Sequence, residues 1–208
     1  MTHGFIVTGT DTGIGKTVFA AGLTGALSGA YWKPVQSGLD DGTDTQSVDE
    51  LTSGSDVQVL PEAYRLKTPV SPHEAARIDG LFVDMMELKL PEVERPLIIE
   101  GAGGVLVPYR EDLLAADIFG IWGLPAILVA RTTLGTINHS LLSLEALRLR
   151  GVTVAGIVFI GDEEPVAERA IARIGTAPQL GRLPFLDPLD APNLRDAFKA
   201  NIDMGLLV

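Results

Sequence analysis

The chain has 208 residues, enough for one domain with a buried core, since domains run to about 100–200 residues. Its 16 lysine and arginine residues against 27 aspartates and glutamates give a net charge of −11, which argues against a nucleic acid or an anionic membrane as partner and directs attention to a pocket. It has no cysteine, so disulfides, zinc thiolates and thiol nucleophiles are excluded.

The first residues lack the basic-then-apolar layout of a leader, and no apolar run reaches the roughly 20 residues of a membrane span, so a cytoplasmic protein is expected. No repeat, low-complexity tract or linker interrupts the sequence. Residues 1–208 therefore read as a single unit. Short apolar runs at "FIVTG", "AYWKPV", "PLIIEGAGG", "PAILVAR", "VTVAGIVFI" and "PQLGRLPFL" are mostly separated by stretches with helical spacing. That alternation predicts an α/β fold, a parallel sheet covered by helices on both faces.

The first run breaks into "TGTDTGIGKT". A phosphate loop of the GxxxxGK[ST] type would have its first glycine at position 10, where this chain has Thr10, and Gly9 comes one residue early. The physics survives the offset. A strand ending near Thr8 feeds a glycine turn, and a helix starting near Lys16 points its amide end at whatever the turn encloses. Lys16 suits terminal phosphates and the Thr17 hydroxyl suits Mg²⁺. A dinucleotide fingerprint fails, because its third glycine falls on Val18.

"YWKPVQSG" reads as the second strand, lying beside the first, with Lys33 at its carboxyl end. A lysine there is either a solvated strand end or a second cation near the phosphates. Between Lys33 and Arg65 lie seven acidic residues and no basic one: Asp40, Asp41, Asp44, Asp49, Glu50, Asp56 and Glu62. They form a solvated loop and helix, or one of them faces a metal. In "SPHEAARIDG", Ser71 is the expected N-cap, Pro72 opens the helix, Glu74 closes a capping box and Gly80 stops it.

"PLIIEGAGG" ends a buried strand on Glu100, a carboxylate that must be paired or metal-bound, followed by glycines that let a ligand approach the backbone. After "PAILVA", the stretch "RTTLGTINHS" opens a helix with Thr136 as expected N-cap. Ile137, Leu141, Leu144 and Leu147 line one face and Gly151 ends the helix. Polar side chains at such an end suit a carboxylate. His3, His73 and His139 form no metal cluster, and none is given a catalytic role.

Taken in order, "GTDTGIGKT", "KPVQSG", "SPH", "EGAGG", "LGTINH" and "LGRLP" resemble the dethiobiotin synthetase family and, more broadly, its amidotransferase-like ATPase relatives. The family carries GTDTxxGKT with the same offset glycine. The resemblance spans nearly the whole chain and implies a P-loop NTPase fold. It also implies a ligase that uses ATP and Mg²⁺ to join CO₂ to 7,8-diaminononanoate and close a ureido ring.

By the same resemblance Lys16 and Lys33 are the catalytic cations, Lys16 on the β and γ phosphates and Lys33 on a carbamate and the transferring group. Thr17, Asp44 and Glu100 are the implied metal ligands, with Asp49 and Asp41 as alternatives to Asp44. Thr12 and Ser37 would contact the diamine. Thr136, Ile137 and Asn138 would hold the substrate carboxylate across a two-fold homodimer interface. Nucleotide contacts fall on Thr12, Gly13, Ile14, Gly15, Lys16 and Thr17, on Asp44, and on Glu100, Gly101, Ala102 and Gly103. For the nucleobase they fall on Gly161, Asp162, Pro184, Phe185 and Leu186.

One departure stands out: many members end the fifth strand with an asparagine that reads adenine, and this chain has Gly161 there. Weaker discrimination among nucleoside triphosphates is expected. Two other ATPase classes share similar loops. Cobyrinate-type synthetases carry a glutamine-hydrolysing domain with a nucleophilic cysteine. Partitioning-type switches carry an early loop lysine where this chain has Thr10 and Asp11, and often a basic or amphipathic tail where it ends "NIDMGLLV".

Overall fold

A computed structural model describes residues 3–207. Strand β1 (Gly4–Gly9) runs into the phosphate loop and helix α1 (Lys16–Leu27). β2 (Ala30–Trp32), β3 (Val35–Ser37), α2 (Asp44–Leu51), β4 (Gln58–Leu60), β5 (Tyr64–Leu66) and α3 (Pro72–Asp79) follow. Next come β6 (Leu97–Glu100), β7 (Pro108–Arg110), β8 (Leu113–Leu114), α4 (Ala115–Trp122) and β9 (Ala126–Arg131). The chain then forms α5 (Thr136–Leu149), β10 (Val154–Ile160), α6 (Pro165–Ile174), β11 (Gln179–Leu183) and α7 (Ala191–Asn201).

Seven strands form one parallel sheet in the order β11-β10-β9-β1-β6-β2-β4. Successive strand residues face opposite sides, so Ile6 and Ile99 join one core with Phe119, Leu144 and Ile171 from α4, α5 and α6. Val7 and Ile98 join another with Phe19, Val48 and Phe198 from α1, α2 and α7. Helices cover both faces, as the alternation of apolar runs predicts. Ligands of such sheets bind beyond the carboxyl ends of the strands, the edge where Gly9, Glu100 and Arg131 end β1, β6 and β9.

Strand order corrects the expectation that the second strand lies beside the first. β6 pairs with both β1 and β2 and separates them. Both β6 and β2 are buried along their length, as interior parallel strands require, and β2 stops at Trp32. Pro34 has no N–H for the ladder, and the chain leaves the sheet there to form β3, which pairs with β5. Trp32 is in register with Ile99, so the next residues along, Lys33 and Glu100, emerge side by side.

Helix α3 starts at Pro72 and ends at Gly80 in the left-handed region, but its expected capping box is absent. The Ser71 hydroxyl meets His73 Nδ1 at 3.0 Å, and Glu74 makes a two-pronged pair with Arg77 at 2.7 Å. A guanidinium one turn away outcompetes a backbone amide for that carboxylate. Helix α5 is also rotated from the expected face. It buries Thr136, Ser140, Ser143, Leu144 and Leu147, and leaves Ile137 exposed.

Helix α1 packs closely on α7 because Gly22 faces Phe198, where an added Cβ would lie 2.2 Å from the ring. Gly22→Ala gains helix propensity worth about 1 kcal/mol, but overpacking of about 1–3 kcal/mol is expected to outweigh it. A lowered urea midpoint would agree with this packing, and a raised one would not.

Candidate active site

The phosphate loop connects β1 to α1, and its offset glycine has a steric reason. A Cβ on Gly9 would sit 2.7 Å from Ile14 Cδ1 and 3.0 Å from Lys16 Cδ, so the side chains of the loop fold back over the strand end. Gly15 holds φ at +91° as the N-cap of α1 and offers no side chain to cap it. The first amides of the helix are thus left for an anion. Lys16 is 6% exposed and its Nζ donates to the Asp11 carbonyl at 2.6 Å. Burial, opposed by Glu100 and reinforced by Lys33, lowers its pKa to about 8. A carbonyl is a weak partner for a buried ammonium, and phosphate oxygens would serve it better.

Beside the loop, Glu100 is 1% exposed at the end of β6. Its Oε1 accepts from Lys33 Nζ and from the Thr17 hydroxyl, both at 3.0 Å, and its Oε2 accepts from the Tyr31 hydroxyl at 2.8 Å. Lys33 Nζ also lies 2.6 Å from Asp44 Oδ2, and Thr17 Oγ1 lies 3.0 Å from Asp44 Oδ1. The hydroxyl has one proton and serves one carboxylate at a time.

Burial alone would depress the Lys33 pKa, but Glu100 and Asp44 outweigh it and hold the group well above the ordinary lysine range. Burial would likewise raise Asp44, and Lys33 pulls it below its ordinary value instead. Thr17 Oγ1, Asp44 Oδ1 and Glu100 Oε1 form a cluster of hard oxygens, the donor chemistry a small divalent cation takes alongside phosphate oxygens and water.

Asp44 reaches this cluster because it opens α2. Thr43 and Gln46 make a reciprocal capping box on that helix, and the Asp44 amide donates to Gln36 Oε1 at 3.2 Å. Asp41 and Asp49 are exposed.

A cavity of about 400 Å³ opens beside the cluster, lined by Thr12, Lys33, Ser37, Asp44 and Gly103 among others, and the buried Ser37 hydroxyl has no hydrogen-bond partner among the described residues. A second of about 420 Å³ includes Gly13, Gly15, Arg131, Thr133, Pro184 and Phe185. A third of about 530 Å³ lies between Thr10–Thr12 and His139, Leu142 and Ser143 of α5.

A protein-family profile described as an AAA domain matches residues 3–193. The chain is 57% identical over 203 residues to the ATP-dependent dethiobiotin synthetase BioD of Rhodopseudomonas palustris, covering 98% of this chain and 95% of that protein. It is 58% identical over 200 residues to the protein of the same name from Rhizorhabdus wittichii, covering 96% of each. The chain belongs to the dethiobiotin synthetase family. Among solved structures, the fold resembles the cell division ATPase MinD of Pyrococcus furiosus with a TM-score of 0.61 at 16% identity and full coverage of both chains. A ParA family ATPase from Chlorobium tepidum gives a TM-score of 0.53 at 12% identity, covering 100% of this chain and 93% of that one. At such identities the likeness speaks to the P-loop fold.

Within this dethiobiotin synthetase chain, the residues singled out in the sequence fall in three places. Lys16, Lys33, Thr17, Asp44 and Glu100 converge. Gly161, Phe185 and Leu186 lie together at the far side of the loop, with Phe185 76% exposed and Asp162 exposed. Gly161 takes φ +128°, and a Cβ there would come within 2.6 Å of Thr132 Oγ1.

At α5 the N-cap is Gly135, at φ +94°, rather than Thr136. Thr136 is buried and its hydroxyl donates to the Arg131 carbonyl, while Ile137 and Asn138 are exposed. A side chain committed to the preceding strand end cannot also cap its own helix.

Tyr31, Gln36, and the pair of Asp11 with Arg131 were not singled out by sequence. Tyr31 carried a signal, since it sits two residues before Lys33 and so on the same face of an extended segment.

Removing Lys33 would leave Glu100 in the interior without its ammonium. Lys33→Ala is expected to cost the ligand-free protein about 3–5 kcal/mol in urea unfolding. The same change at exposed Lys199 should cost under about 0.5 kcal/mol. Equal effects would contradict the pairing.

Proposed function

We infer that this chain is an ATP-dependent dethiobiotin synthetase of biotin biosynthesis, a ligase that forms carbon–nitrogen bonds. Its substrates are 7,8-diaminononanoate, CO₂ and ATP, and its products are dethiobiotin, ADP and phosphate. The observation that carries the reading is the meeting of Lys33, Thr17, Asp44 and Glu100 beside a phosphate loop, in a chain 57% identical to a named synthetase.

We propose that CO₂ adds to one amine to give a carbamate, whose oxygen takes the γ-phosphoryl group. The second amine then attacks the carbamate carbon and expels phosphate as the ureido ring closes. Charge builds on a phosphoryl group passing between two anionic oxygens, so positioned cations do most of the work. Lys33, held charged, steadies the carbamate and the transferring group. Lys16 leaves the Asp11 carbonyl for the β and γ phosphates, and the amides of α1 take the remaining phosphate charge. Thr17, Asp44 and Glu100 would hold Mg²⁺, which supplies charge neutralisation on the phosphate oxygens.

The 400 Å³ cavity with the free Ser37 hydroxyl and Thr12 suits the diamine, and the 420 Å³ cavity with Pro184, Phe185 and Leu186 suits the nucleoside. Gly13, Ile14 and Gly15, with Gly101, Ala102 and Gly103, supply backbone to the nucleotide, and Gly161 and Asp162 border the base.

A homodimer is proposed from the exposed apolar side chains Leu134, Ile137 and Leu142 around the start of α5, beside the cavity that Thr10–Thr12 shares with that helix. In it, Thr136, Ile137 and Asn138 would face the carboxylate of a substrate bound to the partner. Residues 1–208 would act as one unit, since a single sheet carries both cores. A cytoplasmic location is proposed, and no helix among the described residues is long and apolar enough to cross a membrane.

Incubation with diaminononanoate, bicarbonate, Mg²⁺ and ATP is expected to release ADP only when the diamine is present. Diamine-independent turnover would instead indicate a switch ATPase. In that assay Lys33→Ala should abolish turnover while weakening nucleotide binding far less.

With glycine at position 161, kcat/KM for ATP, CTP and GTP should differ less than in asparagine-bearing members, and a strong ATP preference would contradict this. Gly161→Asn alone should not restore preference, because its Cβ meets Thr132. Thr132→Ala would relieve that contact but not the φ of +128°, which strains any side chain at this position.

A further inference from the structure

We propose that Tyr31 is a positioning residue for the reaction: its hydroxyl fixes the Glu100 carboxylate so that Oε1, and not Oε2, faces Thr17 and Lys33. The inference rests on the proposed role of Glu100 as a metal-facing carboxylate. Tyr31 is fully buried on β2, in register with Ile98 two residues before Glu100 on β6. Its hydroxyl, 2.8 Å away, is the one side-chain donor to Oε2 among the described residues, whereas Oε1 has both Lys33 and Thr17.

A carboxylate with donors on one oxygen only can turn about its last bond and trade one oxygen for the other. In a dry interior the bare oxygen would also lack compensation. Tyr31 removes both difficulties, because its ring is locked in the core and cannot follow a rotating partner. A carboxylate can only accept, so the phenol is the donor in this bond. Gln36 plays no part at this oxygen, as it acts on the Asp44 amide.

Groups that orient a ligating side chain from behind are worth about 10–100-fold in metal affinity. Mn²⁺ binding to the ADP-loaded full chain, read by electron paramagnetic resonance, measures this without turnover. Tyr31→Phe should weaken Mn²⁺ binding about tenfold. Tyr64→Phe, whose hydroxyl only accepts from the Asp84 amide, should not.

Mn²⁺ binding unchanged by Tyr31→Phe but lost in Glu100→Gln overturns the role of Tyr31 and leaves the reading of the site standing. Unchanged binding in Glu100→Gln overturns both. Should Tyr31→Phe not fold, its combination with Glu100→Gln, which removes the stranded charge, should fold and be little less stable than Glu100→Gln alone. A further large loss in that pair means a purely structural tyrosine and overturns the proposal.

Discussion

A carboxylate at the end of a central strand, closed off from water, is the constraint around which the rest of this site is built. Glu100 is 1% exposed, and an ion so placed is tolerated only with a counter-charge and full hydrogen bonding. The sheet supplies both. Register between β2 and β6 brings Lys33 alongside, Tyr31 reaches the far oxygen, and Thr17 approaches from the start of α1. Pro34 releases the chain just after Lys33, so the ammonium projects past the sheet edge.

The same constraint links the ligand-free protein to its proposed chemistry. Lys33 lies between two carboxylates, and its charge is secured by them. Lys16 is the converse, a buried ammonium with a carbonyl for a partner and a pKa lowered to about 8. One lysine is compensated by carboxylates, and the other has only a carbonyl, which under the proposed function leaves it for phosphates. In the proposed reaction, a phosphoryl group arriving between them would meet a cation fixed by acids on one side and a cation short of an anion on the other.

Much of this was legible in the sequence where the cause is local. The apolar runs, the loop and the stop at Gly80 follow from spacing and residue type, and ordered motifs pointed to the family. What sequence did not carry is which of several available partners a strand or a polar group takes. The insertion of β6 between β1 and β2 is a pairing of segments far apart in the chain, and both β2 and β6 carry the residues of a buried strand. Arg77 diverts Glu74 from its cap, and the inward turn of Thr136 depends on the carbonyl of Arg131. Tyr31 reads as an ordinary core aromatic until the partner strand is known.

The central claim is that a carbamate oxygen, not water, attacks the terminal phosphoryl group beside Lys33. Turnover with ¹⁸O-labelled CO₂ in unlabelled water tests it, because ring closure expels phosphate together with the oxygen that attacked. The account expects one ¹⁸O in each phosphate released. Phosphate that takes its new oxygen from the solvent would contradict it.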